Sequence, residues 1–78
     1  MKAHDTYLRY VRWDEVDAAY IGYCPDLFPH GGICHADSEA EAYSRLCALV
    51  EEEVQDLQAR GRPLPAPSTR PMRDAVAA

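Results

Sequence analysis

Positive charge is the first thing the chain lacks. Lysine and arginine together number 8 against 13 aspartates and glutamates, a formal net charge of −5. A surface of that sign repels phosphate backbones, which disfavours nucleic acid as a ligand. It favours a basic partner, steered in by the opposite field. Long apolar runs are also missing. None approaches the roughly 20 residues that a membrane span needs. The opening MKAHDTYLRYVRWDE is broken by charges where a signal peptide would carry its apolar segment. The chain therefore reads as cytoplasmic. Its 3 cysteines are an odd count, and a reducing cytosol keeps them as thiols, so no disulfide framework stands in for a core. No internal repeat is visible. A chain of 78 residues is one domain with a thin core, and self-association is the expected way to cover the rest. The hydrophobic share of 47% argues against wholesale disorder.

What is present reads as strands first. Tyr7 to Trp13, YLRYVRW, alternates and is rich in aromatic and β-branched residues. Asp14 to Asp17 is a polar turn of about four residues, and Ala18 to Tyr23 returns as a second strand. Pro25 ends it, because proline has no N–H to donate. PDLFPHGG is then a loop, and Ile33 to Ala36 a short third strand. Tyr20 and Tyr23 differ in parity, so one is expected to face the helix and the other solvent or a partner.

Ser38 opens a helix, with Glu41 placed three residues on for a capping box. Inside it, Tyr43, Leu46, Cys47, Val50, Val54 and Leu57 follow the rhythm of one buried stripe. Glu41 and Arg45 form an i,i+4 pair. Arg60 suits the negative end of the helix, and Gly61 supplies a left-handed cap. Beyond it Pro63, Pro65 and Pro67 alternate, so all three remove N–H donors from one edge of an extended segment. Pro63 to Ser68 therefore predicts an edge strand, with a polyproline II arm as the alternative. The predicted fold is α+β: a three-stranded antiparallel meander covered by one long helix, plus a short Pro-rich C-terminal edge strand, in the order β-β-β-α-β.

The stretch YIGYCPDLFPHGGICH holds Cys24, His30, Cys34 and His35, residue types that bind zinc or attack substrates. Structural zinc wants four converging ligands, usually with closely spaced cysteine pairs. Cys34 and His35 are strand neighbours and leave on opposite faces, so at most three converge. A Cys24–His30–Asp26 nucleophile has no helix N-terminus or glycine nest beside it to make an oxyanion hole. No enzyme, metal or cofactor is expected, and Cys24 and Cys34 read as small semi-buried apolar groups. Glu51, Glu52 and Glu53, with Asp56, have two readings: a solvated face, or a docking surface for lysine or arginine on a partner.

The order of these pieces resembles the HicB-like antitoxin family. Asp14–Asp17 followed by AAYIGYCPDL is similar to that family's acidic turn, small-small-aromatic strand and proline-aspartate-leucine turn. Asp37-Ser38 with Glu41-Ala42, then Gly61 and Pro63-Leu64-Pro65, continue the match from about Tyr7 to Ser68. The resemblance implies a partial ribonuclease-H-like fold, a HicB-like domain over 1–68 and a C-terminal tail over 69–78. It also implies an antitoxin that binds a small basic HicA-type ribonuclease, which cleaves mRNA, and covers its catalytic histidine. Many members continue into a DNA-binding domain, for which no basic segment is present here. Phe28-Pro29-His30-Gly31-Gly32 also replaces the family's usual proline-glycine-cysteine turn. The expected contacts are Asp26, Leu27 and Phe28 at the loop and Glu51, Glu52 and Glu53 on the helix. The rival function is a homo-oligomeric structural or regulatory module without a toxin.

Overall fold

A computed structural model describes residues 6–67. The chain forms β1 (Tyr10–Asp14), β2 (Ala19–Tyr23), β3 (Cys34–Ala36) and α1 (Glu39–Ala59). The three strands make one antiparallel sheet in the order β1-β2-β3, with Tyr10 opposite Tyr23, Trp13 opposite Tyr20, and Tyr20 in turn opposite Ala36. The α+β meander with one long helix is therefore present.

Each boundary has a local cause. The β1–β2 turn is held by the Asp14 carboxylate, which accepts from the Val16 N–H at 2.9 Å. Ala18 takes a left-handed φ of 51° and belongs to that turn, so β2 starts one residue later than predicted. At the other end of β2 the Cys24 carbonyl accepts from the N–H groups of Leu27 and Phe28, at 3.2 and 2.8 Å. That carbonyl is thereby taken from the ladder. β1 correspondingly begins at Tyr10 rather than at Tyr7. Tyr7 is instead buried in the core, where its hydroxyl donates to the Pro65 carbonyl at 2.6 Å.

Helix α1 starts as its sequence dictates: the Ser38 hydroxyl accepts from the Glu41 N–H at 3.1 Å. The reciprocal half of the capping box is replaced. The Glu41 carboxylate pairs with Arg45 at 2.6 Å, and Arg45 also donates to the His35 carbonyl at 2.6 Å, tying the helix to β3. The C-terminus is a Schellman motif. Gly61, at φ 68°, donates to the Gln58 carbonyl, and Arg62 donates to that of Leu57.

The buried stripe runs Ala42, Leu46, Val50, Val54 in steps of four. This corrects the predicted stripe at its edges: Tyr43 is 46% exposed, and Cys47 and Leu57 are half-buried. The reason is the sheet's small side chains. A Cβ on Gly22 would stand 2.7 Å from Cys34 Sγ and 3.1 Å from Leu46 Cβ. The helix therefore sits directly on Gly22, closest at Leu46. The core cluster is Tyr7, Cys24, Leu46, Val50 and Val54, with Val11, Leu27, Phe28, Ile33, Cys34 and Leu64 packed around it.

No strand forms over residues 62–67, so the expected edge strand is absent from the described part of the tail. The segment is nonetheless fixed, by Leu64 against the core and by the Tyr7–Pro65 hydrogen bond. Ser68 and the predicted tail 69–78 lie outside the described residues.

Candidate partner-binding surface

Strand parity divides the sheet. Val11, Trp13, Tyr20 and Gly22 point to the helix side, while Tyr10, Arg12, Ile21, Tyr23 and His35 point away. This resolves the pair of tyrosines. Tyr20 stays on the covered side, edge-on to Trp13 with ring centroids 5.1 Å apart. Tyr23 lies on the open side, stacked on Tyr10 at 5.0 Å and 13° between planes. The loop after β2 laps part of the open face: Pro25, Phe28 and Pro29 join the two tyrosines around a shallow cavity of about 260 Å³, and Gly32 lies close against Ile21.

Phe28 has a second neighbour. On its other side it lines a cleft of about 370 Å³ with Leu49, Glu52, Glu53 and Asp56. The turn that Cys24 caps places the ring there, half-buried and braced on the core. Residues 49, 52, 53 and 56 share one helix face by their spacing of three and four. Asp56 pairs with Arg60 at 3.3 Å, both exposed. Glu52 and Glu53 have no cation facing them among the described residues. The arrangement is a half-buried aromatic rimmed by carboxylates, which can seat an apolar side chain flanked by basic ones.

The predicted contact residues are therefore only partly brought together. Phe28, Glu52 and Glu53 meet. Glu51 does not line the cleft, and its carboxylate accepts from Gln55 at 3.4 Å. Leu27 packs on the core. Asp26 is also half-buried and does not line the cleft; burial first, and the Asp26 charge after it, push the Tyr7 hydroxyl and the Cys24 thiol up. Leu49 and Asp56 complete the cleft. Leu49 was missing from the sequence reading because its position flanks the buried stripe.

The cysteines and histidines of the opening stretch do not assemble. Cys24 is fully buried, and desolvation is the main cause that holds its thiol above the usual range, opposed by the Leu27 N–H and Arg9. Such a thiol is a poor nucleophile. Burial also raises Cys34, whose thiol lies 3.6 Å from the Ala42 carbonyl. His30 and His35 are exposed. Among the described residues, no three of His, Cys, Asp and Glu are grouped to hold a metal ion. No helix among them is long and apolar enough to cross a membrane.

Comparison with family models, curated proteins and solved structures gives no match to this chain.

Proposed function

We propose that the chain is an antitoxin of the HicB-like kind. On this reading it has no catalysis of its own and works in the cytoplasm. It binds a small basic mRNA-cleaving ribonuclease of the HicA type and covers that enzyme's catalytic histidine. The observation that carries the reading is the cleft in which Phe28 stands beside Leu49, Glu52, Glu53 and Asp56. It offers an apolar anchor point and two carboxylates, those of Glu52 and Glu53, that meet no cation among the described residues, the complement of a basic surface with an apolar centre. The net charge of −5 acts in the same direction at longer range. The fold belongs to this reading as a partial ribonuclease-H-like unit, with Pro63–Ser68 serving as its edge strand when a second copy offers a free sheet edge. The test is co-expression with a small basic protein encoded beside it. Restored growth and co-purification support the antitoxin. A harmless neighbour that does not co-purify removes it.

The second reading, a homo-oligomeric module without a toxin, draws on a different observation. Tyr10, Ile21 and Tyr23 stand on the sheet face that α1 leaves open, and a second copy would bury them. Light scattering decides this: a Tyr23→Glu variant becomes monomeric while the parent is dimeric or larger. A parent that is monomeric at high concentration excludes the module.

A further inference from the structure

The two edges of the sheet are not alike. β3 closes one side with only 3 residues, a length that gives another strand little to pair with. β1 closes the other with 5 residues matched one to one with β2, so it carries no bulge, and it contains no proline. Its outward groups follow from the ladder. The Gly22 carbonyl accepts from the Ile33 N–H at 3.0 Å, so Gly22 turns its backbone to β3. By alternation Ile21 and Tyr23 turn theirs to β1, and the residues opposite them, Arg12 and Tyr10, turn theirs to β2. Val11 and Trp13 are left with N–H and C=O groups directed off the sheet. Exposed apolar side chains collect at this same edge. Leu8, Tyr10, Trp13 and Val16 lie on β1 or beside it, with Trp13 49% and Val16 93% exposed. Tyr43, the remaining exposed large apolar residue among those described, lines a cleft of about 410 Å³ with Tyr10, Val11, Glu39 and Ala40.

Charge identifies what pairs there. Arg12-Trp13-Asp14 is its own antiparallel complement. Turned end to end about Trp13, Arg12 of each copy stands opposite Asp14 of the other. Arg12 is exposed and meets no carboxylate among the described residues. Asp14 holds the β1–β2 turn through Oδ1, which leaves Oδ2 to accept. We infer that two copies of the chain join edge to edge along β1, with a two-fold axis at Trp13, into one continuous antiparallel sheet. Trp13 and the partner's Trp13 form the hydrogen-bonded pair at the centre. Arg12 and the partner's Asp14 form the closer, non-hydrogen-bonded pair beside it, with Cα atoms about 4.5 Å apart. The register also brings the turn carrying Val16 opposite Tyr10, next to the cleft that Tyr43 lines. The inference goes beyond both readings above, since it requires neither a toxin nor contact through the Tyr23 face. The Phe28 cleft stays free, so the antitoxin reading stands or falls separately.

The test uses the full chain, whose 1 tryptophan makes its emission a report on this edge. The parent is expected to sediment at twice the chain mass, with emission moving to shorter wavelength as concentration rises. Arg12→Glu sets like charges opposite each other at both positions and should raise the dissociation constant by about tenfold or more. Asp14→Lys should do the same. Mixed in equal amounts, the two variants should restore the dimer that neither forms alone, because the mixed pair sets opposite charges across both positions. Should Asp14→Lys unfold through loss of its turn, which circular dichroism reads, Arg12→Glu and the tryptophan shift decide the matter without it. A parent that stays monomeric at millimolar concentration overturns the inference, as does an Arg12→Glu chain that associates as the parent does. A dimer lost in Tyr23→Glu but kept in Arg12→Glu overturns it too, and assigns the contact to the open sheet face.

Discussion

The two sides of the sheet use opposite kinds of residue. Where helix α1 lies on it, the contacts are small: Gly22, Cys24, Ala36 and Ala42 let Leu46 and Val50 reach complete burial. On the other side stand the stacked rings of Tyr10 and Tyr23, and beside the helix the half-buried Phe28 faces Glu52 and Glu53, which meet no cation among the described residues. Small residues serve close backbone approach and density, from which a domain of this size draws its stability. Large aromatics at an uncovered surface add little to a core they barely join, yet they are the residues that dominate interface energy. The covered face therefore accounts for the fold, and the Phe28 side for recognition.

The largest effects should come from the covered face. Leu46→Ala removes a fully buried anchor and is expected to cost about 2–5 kcal/mol, measured from urea midpoints. That is comparable to the whole stability of so small a domain. An unchanged midpoint would mean the stripe is not the core. Gly22→Ala tests the same face by overfilling it. The added Cβ meets Cys34 Sγ at 2.7 Å, so a loss of about 1–3 kcal/mol is expected.

Smaller effects follow where polarity, not volume, is changed. Cys24→Ser should cost about 1–2 kcal/mol by burying a hydroxyl in an apolar site. Burial holds the Cys24 thiol above its ordinary range. The folded state therefore keeps its proton longer than the unfolded chain does. Stability should fall as pH rises from the unfolded thiol pKa toward the folded one, and this slope should be reduced in Cys24→Ser. A denaturation series across alkaline pH checks both points. Tyr7→Phe deletes the bond to Pro65 and should cost about 1 kcal/mol while loosening the start of the tail. Hydrogen exchange at Leu64 and Ala66 reads that change.

The least effect on stability should come from the Phe28 side. Glu52→Lys/Glu53→Lys is expected to leave the melting temperature nearly unchanged and to slow association with a basic partner. Phe28→Ala should act mainly on dissociation.

Much of the covered face was legible in the sequence. The periodic apolar residues gave Leu46, Val50 and Val54. Ser38 and Gly61 marked the helix ends, and Pro25 the end of β2. The errors came from non-local contacts. Tyr7 reads as a strand residue by pattern, but its hydroxyl is claimed by a carbonyl 58 residues away. Gly22 reads as an unremarkable strand glycine until Leu46 is placed above it. The cleft was half legible. Phe28 and the glutamates carried a visible chemical signal, but only the packing of the loop against the helix separates Glu52 and Glu53 from Glu51. Asp26 and Leu27 are turned to other work by the Cys24-capped turn that presents Phe28.

The most direct test of this division is a capture experiment with the neighbouring small basic protein, using the parent chain and one double variant whose stability has first been measured. The account predicts that the parent chain retains the basic protein and restores growth. It also predicts that Glu52→Lys/Glu53→Lys loses both functions at an unchanged melting temperature. Retention undiminished in that folded variant, or no retention by the parent chain, would contradict it.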